Sequence, residues 1–197
     1  MTPYLSHANR MMLVRTGDPI RYGTLYLSIE QLQKNQIDGS LAECGVYKGS
    51  LSRFIHSMLP ERRLYLFDSF EGFQASDSDA EGDNRFKDAS EKDVLWKVAH
   101  SQNVIIRKGF FPSTAAGLET ERFALVMVDF DKYESTKAAL EFFYPRVVQG
   151  GFIFVHDYSS PESHWACSRA LNEFLADKIE KPILIPDAWG TAVLRKT

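Results

Sequence analysis

Six acidic or imidazole side chains in this sequence follow apolar runs of the kind that form buried strands. They are Glu43, Asp68, Asp129, Asp131, His156 and Asp157. An open parallel sheet binds its ligands outside the carboxyl ends of its strands, so we expect these side chains to lie along one edge. Carboxylates there can attract a cation, accept hydrogen bonds from ribose hydroxyls, hold a divalent ion or accept a proton. The set predicts a ligand site with an ion or acid–base centre beside it.

The first of these side chains opens a glycine-containing turn, Glu43-Cys44-Gly45-Val46-Tyr47-Lys48-Gly49-Ser50. Gly45 and Gly49 allow a tight turn and bring a ligand close to the N-terminus of the next helix. The dinucleotide fingerprint G-x-G-x-x-G is absent, and Glu43 would repel a pyrophosphate but attract a cationic or zwitterionic ligand. Asp68, roughly 20 residues further on, is placed to accept both ribose hydroxyls of a nucleoside. The alternative is a turn that needs glycine only for its own geometry.

A second group of polar residues lies in the later part of the sequence. Residues two apart on a strand face the same side, so Asp129 and Asp131 would point together unless the strand ends there. Two close carboxylates raise one another's pKa unless a cation separates them or they perform different tasks. His156 and Asp157 could converge with Asp129 on one divalent ion. A solvated surface role remains open for each carboxylate taken singly.

The elements that would position these residues alternate along the chain. Short β-branched or aromatic runs occupy 40–46, 63–69, 103–108, 124–130 and 152–158, and stretches of helical period or length separate them. This alternation predicts an α/β fold in which a parallel sheet carries helices on both faces. Two more short runs, 182–185 and 191–194, predict a closing hairpin.

Apolar residues at helical spacing predict three of the helices. The stripes are Leu25, Ile29 and Leu32 before the first strand; Leu51, Phe54, Ile55, Met58 and Leu59; and Cys167, Leu171, Phe174 and Leu175. Ser160-Pro161, in front of the last stripe, is typical of an N-cap followed by proline at the first helical position.

The composition indicates one globular domain. The 197 residues are 44% hydrophobic and 25% charged, which excludes disordered, collagen-like and disulfide-scaffold classes. With 23 basic and 26 acidic residues the net charge is −3, which argues against a nucleic-acid partner. The longest apolar run, 123–128, is far shorter than the about 20 residues of a membrane span. We expect a single domain over 1–197 in the cytoplasm, with a helical segment at 1–38.

Residues 71–93 depart from the alternating pattern. They carry eight acids and three bases and few apolar residues, so they cannot cover a sheet face. A loop of this length inside a compact domain is usually a functional lid or is disordered. Phe73 and Phe86 favour the lid.

Five ordered motifs of the sequence resemble the macrocin O-methyltransferase family. They are 42–49 (AECGVYKG), 65–72 (YLFDSFEG), 108–112 (KGFFP), 129–136 (DFDKYEST) and 150–158 (GGFIFVHDY). The resemblance implies the Rossmann-like class I methyltransferase fold, a seven-stranded, mostly parallel sheet whose last strand is antiparallel. It also implies an enzyme of natural-product biosynthesis that methylates hydroxyls, notably on sugars, with S-adenosylmethionine and magnesium.

The same resemblance implies roles for individual residues. It places Glu43, Gly45, Val46, Tyr47, Gly49 and Ser50 at the methionine end of the cofactor, Asp68 on the ribose, and Ser69, Phe70, Gly109 and Phe110 around the rest of the nucleoside. Asp129 matches the first metal ligand and Asp131 the general base. His156 and Asp157 match a pair of metal-binding aspartates, so His156 departs from the family. A nitrogen donor makes Mn²⁺, another transition metal or no metal credible beside Mg²⁺.

The expected function is therefore S-adenosylmethionine-dependent methylation of a small-molecule hydroxyl, with a metal ion assisting. Three alternatives remain open: a nucleoside-binding module with altered catalysis, a metal-dependent hydrolase, and an NAD-linked oxidoreductase on a similar sheet. The residues expected to contact the acceptor, 1–24, 71–93 and 159–165, carry no recognisable pattern. Neither the acceptor nor the oligomeric state can be read from the sequence, and a homo-oligomer stays open.

Overall fold

A single seven-stranded sheet forms the centre of the computed structural model, which describes residues 16–73 and 82–197. The strands are β1 (Ser40–Cys44), β2 (Leu64–Asp68), β3 (Val104–Lys108), β4 (Phe123–Val128), β5 (Val147–Val155), β6 (Ile183–Ile185) and β7 (Thr191–Arg195). Their order across the sheet is β3-β2-β1-β4-β5-β7-β6. Neighbours from β3 to β5 pair in parallel, and β7 lies antiparallel between β5 and β6. The sequence-based prediction of the sheet and of its antiparallel last strand is confirmed.

Helices cover both faces of the sheet, as predicted. In the described ranges they are α1 (Pro19–Lys34), α2 (Ser50–Met58), α3 (Glu91–Lys97), α4 (Tyr133–Phe143) and α5 (Ala166–Phe174). Apolar residues of α1, α2 and α3 form one buried cluster with one face, and those of α4 and α5 form a second cluster with the other. Alternate residues of each strand face alternate clusters, so the polar residues at the strand ends are held by a rigid support.

The strands end earlier, and β5 begins earlier, than the apolar runs suggest. β1, β2 and β4 each stop before the last residue of the predicted run. β5 starts at Val147, five residues before the predicted 152, because it passes through Gly150 and Gly151, where the alternation of apolar side chains is interrupted. The early strand ends place Asp129, Asp131, His156 and Asp157 in loops, where each can adopt its own backbone conformation.

The start of α5 differs from the expectation. Ser160-Pro161 begins a series of turns, and the helix itself starts at Ala166. His164 and Trp165 have φ angles of 51° and 55°, which are incompatible with a continuous right-handed helix. The N-cap assignment at Ser160 was therefore wrong, although the apolar stripe of α5 is buried as predicted.

Helix α1 begins at a cap that the sequence analysis did not identify. Asp18 is the N-cap residue, its Oδ1 accepts a hydrogen bond from the Arg21 backbone N–H (3.1 Å), and Pro19 occupies the first helical position. The predicted stripe along this helix is buried. Residues 1–15, which belong to the expected N-terminal helical segment, lie outside the described part of the chain.

The closing hairpin is confirmed. β6 and β7 pair antiparallel on either side of residues 186–190. Among the described residues, none of the helices combines the length and apolarity required to cross a membrane.

Candidate functional site

A cavity of about 320 Å³ opens at the carboxyl edge of the parallel strands. Ten of the predicted site residues line it: Gly45, Tyr47, Asp68, Ser69, Gly109, Phe110, Asp129, Asp131, His156 and Asp157. Five others lie outside its wall: Glu43, Val46, Gly49, Ser50 and Phe70. The strand ends thus gather the two acidic groups of the sequence around one space.

The turn after β1 lies directly against the end of β4. A Cβ at Gly45 would be 1.9 Å from the Asp129 carbonyl oxygen, and the φ angle of Gly45 is +83°. The Asp129 backbone N–H donates to the Cys44 carbonyl at 2.8 Å. Glycine is therefore required at position 45 by both the backbone conformation and the close approach.

Asp68 joins the loops that follow β1 and β2. Its Oδ2 accepts hydrogen bonds from the backbone N–H groups of Val46 (2.7 Å) and Tyr47 (2.8 Å), and its Oδ1 accepts one from Phe70 (2.7 Å). Tyr47 and Phe70 have φ angles of 49° and 56°, so these bonds hold both residues in left-handed conformations. Oδ1 retains a second lone pair with which to accept from a ligand hydroxyl, whereas Oδ2 already accepts two hydrogen bonds.

Glu43 lies in the sheet interior, on the side of α1 to α3. Its carboxyl group is 1% exposed and accepts a hydrogen bond from Ser52 Oγ at 2.6 Å. Burial raises the pKa of Glu43 to about 8, and the charges of Asp129 and Asp68 raise it further against the lowering effect of Ser52. At neutral pH the neutral acid predominates, so Glu43 contributes little negative charge while the cavity is empty.

Asp129 and Asp157 surround His156 in the cavity wall. His156 Nδ1 lies 2.9 Å from Asp129 Oδ1 and 3.4 Å from Asp157 Oδ1. Arg21 of α1 contacts the other oxygen of Asp129 at 3.3 Å. Burial lowers the pKa of His156, but the two carboxylates outweigh it and raise the pKa to about 10. The ring is therefore an imidazolium at neutral pH when no metal ion is bound.

Asp131 does not share a strand face with Asp129, because β4 ends at Val128 and Asp131 has a φ angle of 61°. The side chain is buried and forms a hydrogen bond with Asp157. Burial, this hydrogen bond and the nearby carboxylates raise the pKa of Asp131 well above its usual range. Burial also raises the pKa of Asp157, but hydrogen bonds from His156 and Asp131 outweigh it and lower that pKa. The hydrogen bond between the two carboxyl groups therefore favours a proton on Asp131 over one on Asp157.

An aromatic and charged rim borders the outer part of the cavity. Arg85 forms ion pairs with Asp83 (2.9 Å) and Glu162 (3.1 Å) and lies 3.7 Å from Asp131 Oδ2. Its guanidinium lies over the rings of Phe73 and Phe86. This rim contains part of the acidic loop 71–93, of which residues 74–81 are outside the described ranges.

Sequence reasoning missed Arg21 and Arg85 as site residues. The signal for Arg21 was the cap Asp18-Pro19, which places the arginine on the first turn of a helix. The signal for Arg85 was a base beside Phe86 in an acidic loop, and Lys87 on the other side of Phe86 gave the same signal. Trp189 of the terminal hairpin also lines the cavity.

The group Asp129, His156 and Asp157 can hold a metal ion. One possible ligand atom from each lies within 4.8 Å of the others, close enough to surround one ion. One imidazole nitrogen with two carboxylates is a donor set that suits Mn²⁺ and related transition metals better than Mg²⁺, which prefers oxygen ligands alone. The residues therefore fit a divalent ion, and the nitrogen ligand favours a transition metal.

Comparisons with known proteins agree on one family. A family model described as macrocin O-methyltransferase (TylF) matches residues 16–196. The chain is 30% identical over 172 residues to the 8-demethyl-8-(2,3-dimethoxy-alpha-L-rhamnosyl)-tetracenomycin-C 4'-O-methyltransferase of Streptomyces olivaceus, covering 78% of this chain and 64% of that protein. It is 28% identical over 174 residues to the mycinamicin III 3''-O-methyltransferase of Micromonospora griseorubida, covering 78% and 67%. The chain thus spans about two thirds of the length of these relatives.

Solved structures show the same fold. The O-methyltransferase NovP superposes with a TM-score of 0.75 at 25% identity, over 91% of this chain and 80% of that one. The calicheamicin methyltransferase CalS11 superposes with a TM-score of 0.72 at 21% identity, over 97% and 80%.

Proposed function

The chain belongs to the macrocin O-methyltransferase family, and on this premise we propose that it transfers the methyl group of S-adenosylmethionine to a hydroxyl of a sugar or natural-product glycoside. One observation carries the proposal: a single cavity joins the glycine turn and Asp68 to the acid–base pair Asp131 and Asp157. The names of two relatives, a rhamnosyl-tetracenomycin-C 4'-O-methyltransferase and a mycinamicin III 3''-O-methyltransferase, support the choice of acceptor.

The cofactor would occupy the side of the cavity formed by the ends of β1, β2 and β3. Asp68 would accept a hydrogen bond from a ribose hydroxyl through Oδ1, and Gly45, Tyr47, Ser69, Gly109 and Phe110 would border the cofactor. The carboxylates in the wall would attract the positive charge of the sulfonium. A phosphate-binding site, which is built to attract negative charge, would not. Glu43, Val46, Gly49, Ser50 and Phe70, which lie outside the wall, would act by holding the turn and the β2 end in place.

Asp131 would act as the general base. An alcohol is a poor nucleophile at neutral pH and must lose its proton as its oxygen attacks the methyl carbon. Arg85, 3.7 Å away, lowers the pKa of Asp131, and a cationic cofactor in the cavity would act in the same direction. The proton shared with Asp157 then leaves to solvent, and the freed carboxylate accepts the acceptor proton. When bound, S-adenosylmethionine would supply the methyl group, its carbon–sulfur bond breaking as the oxygen–carbon bond forms, and S-adenosylhomocysteine would be the product.

A divalent ion, Mg²⁺ or Mn²⁺, would be held by Asp129, His156 and Asp157. When bound, such an ion lowers the pKa of a hydroxyl that it coordinates. His156 must give up a proton to bind it, so we expect affinity for the ion to rise with pH.

The acidic loop 71–93 would close over the acceptor. Arg85 supports this role because it connects the loop to Glu162, which also lines the cavity, and lies beside the base. The exposed Trp189 and the rings of Phe73 and Phe86 provide apolar faces on which a sugar ring can pack.

Calorimetry tests the proposed function against its alternatives. We would titrate the protein separately with S-adenosylhomocysteine and with NAD, and then assay methyl transfer to deoxysugar glycosides with and without Mg²⁺ or Mn²⁺. Micromolar binding of S-adenosylhomocysteine together with methyl transfer is the expected result. Binding of NAD in its place would support an oxidoreductase, and cofactor binding without turnover on any glycoside would support a nucleoside-binding module.

A further inference from the structure

A second pair of carboxylates lies near His156, outside the wall of the cavity. Asp18 caps α1, Asp187 lies in the turn between β6 and β7, and His156 follows β5. One possible ligand atom from each of these three residues lies within 4.8 Å of the others. Three segments that are distant in sequence therefore converge on one point.

Buried polar atoms without partners concentrate at this point. In the described part of the chain, the buried side-chain atoms that lack a hydrogen-bond partner are Arg21 Nε, His56 Nδ1, Thr114 Oγ1, His156 Nε2 and Asp187 Oδ1. Two of the five, His156 Nε2 and Asp187 Oδ1, belong to the convergent group. The His156 side chain is only 7% exposed. Buried polar atoms nearly always have a partner, so two orphans in one group point to an ion or a water bound between them.

The hydrogen bond on the other side of the ring selects Nε2 as the free ligand atom. Nδ1 faces Asp129 Oδ1 at 2.9 Å, so a neutral ring keeps its proton there and donates it to Asp129. This leaves the lone pair of the ring on Nε2. A carboxylate that accepts from one nitrogen of a histidine while the other binds a metal is a common metal-site arrangement.

We propose that Nε2 of His156, Asp18 and Asp187 bind a divalent transition-metal ion such as Zn²⁺, with Asp129 orienting the ring. The two carboxylates supply two negative charges against the single charge of Arg21, which is paired with Asp18 at 3.2 Å. The incoming ion takes the place of the Nε2 proton, which is released. Since a neutral imidazole has one lone pair, this position competes for His156 with the Asp129 and Asp157 position.

An ion at this position would connect α1, the end of β5 and the terminal hairpin. Asp18 and Asp187 do not line the cavity, so such an ion would brace the cavity from outside its wall. This proposal does not depend on methyl transfer and can fail or succeed separately from it.

Titration with Zn²⁺ alone tests the proposal. Histidine side chains labelled with ¹⁵N report which ring nitrogen of His156 loses its proton, and calorimetry gives affinity and stoichiometry. We would compare Asp187→Asn and Asp18→Asn, where asparagine can still accept from Thr191 or cap α1, with Asp129→Asn and Asp157→Asn. Asp177→Asn, at an exposed position, is the matched surface control.

We expect Zn²⁺ to bind Nε2 and leave Nδ1 protonated. Losing an outer-shell partner costs about 10- to 100-fold in affinity, so Asp129→Asn should lose that much and the two ligand variants more than about 100-fold. Asp157→Asn should retain Zn²⁺ binding, because Asp157 supplies no ligand at this position, and Asp177→Asn should bind as the wild type does. Absence of binding, binding at Nδ1, or dependence on Asp157 without dependence on Asp187 would each overturn the proposal. Titration of the same samples with S-adenosylhomocysteine separates this outcome from failure of the proposed function.

Discussion

The carbonyl oxygen of Asp129 occupies the space that a side chain at position 45 would need, since a Cβ there would lie 1.9 Å away. The turn after β1 and the end of β4 are consequently locked to each other. The residues that would hold the cofactor and those that would act on the acceptor thus share one rigid contact.

Gly45→Ala should separate these two segments. The left-handed conformation costs a non-glycine residue about 1 to 3 kcal/mol, and the steric overlap adds to this cost. We expect a loss of more than about 2 kcal/mol in the free energy of unfolding, together with a marked loss of affinity for S-adenosylhomocysteine, measured by denaturation and calorimetry. Gly117→Ala is the control, because Gly117 has the same φ angle of +83° with nothing within 4 Å of its Cβ. Equal effects of the two substitutions would refute the close approach.

Glu43→Gln should change how stability depends on pH. The folded-state pKa of Glu43 is about 8, above the ordinary 4.5, so the folded protein retains a proton that the unfolded chain releases. This contribution is fully present below pH 4.5 and is lost as pH rises toward 8, by up to about 1.4 kcal/mol per pH unit. The difference in unfolding free energy between wild type and variant should therefore decline across this window in chemical denaturation. Glu141→Gln, on the exposed side of α4, should parallel the wild type, and a flat difference for Glu43→Gln would contradict the raised pKa.

Asp131→Asn should separate binding from turnover. Asparagine tolerates the left-handed conformation of this residue, so the fold should persist. Loss of a general base costs about 10²- to 10⁴-fold in rate, and we expect this loss in kcat with affinity for S-adenosylhomocysteine nearly unchanged. Asp177→Asn controls for removal of a surface charge. Turnover within a few-fold of the wild type would remove Asp131 from the proposed role.

Arg85→Met should release the loop that borders the cavity. The variant loses the contacts with Asp83 and Glu162, so we expect faster cleavage between residues 82 and 90 in limited proteolysis. Exposed ion pairs such as those of Arg85 contribute about 0 to 1 kcal/mol each, so the global free energy of unfolding should change little. Lys87→Met, on the same loop, should be cleaved at the wild-type rate. Unchanged cleavage of Arg85→Met would show that the ion pairs do not hold the loop.

The sheet was predictable because its strands are continuous apolar runs. The residues at which the strands end were harder to predict, since they depend on backbone conformations such as that of Asp131. Position 43 shows a further difficulty: Leu41 and Glu43 alternate with Ala42 and Cys44, and all four residues are buried, so the pattern does not reveal which side faces the ligand. The orientation of the Glu43 side chain toward α2 follows only from the packing of the helix on the sheet.

Contacts between distant segments were beyond reach of the sequence. Arg21 meets Asp129 over a separation of 108 residues, and Asp187 meets His156 only because β7 inserts between β5 and β6. The spacing of residues within one segment does not show which distant segments will come into contact. Residues at the strand ends could be anticipated, whereas those supplied by α1, the acidic loop and the hairpin could not.

The insertion of β7 beside β5 also has a consequence for the folding of this protein during its synthesis on the ribosome. Asp187 and Trp189 follow every other site residue in the chain, so a ribosome delivers them last. A nascent chain can assemble the central parallel strands early, but its pocket gains a complete border only after the hairpin has emerged from the exit tunnel.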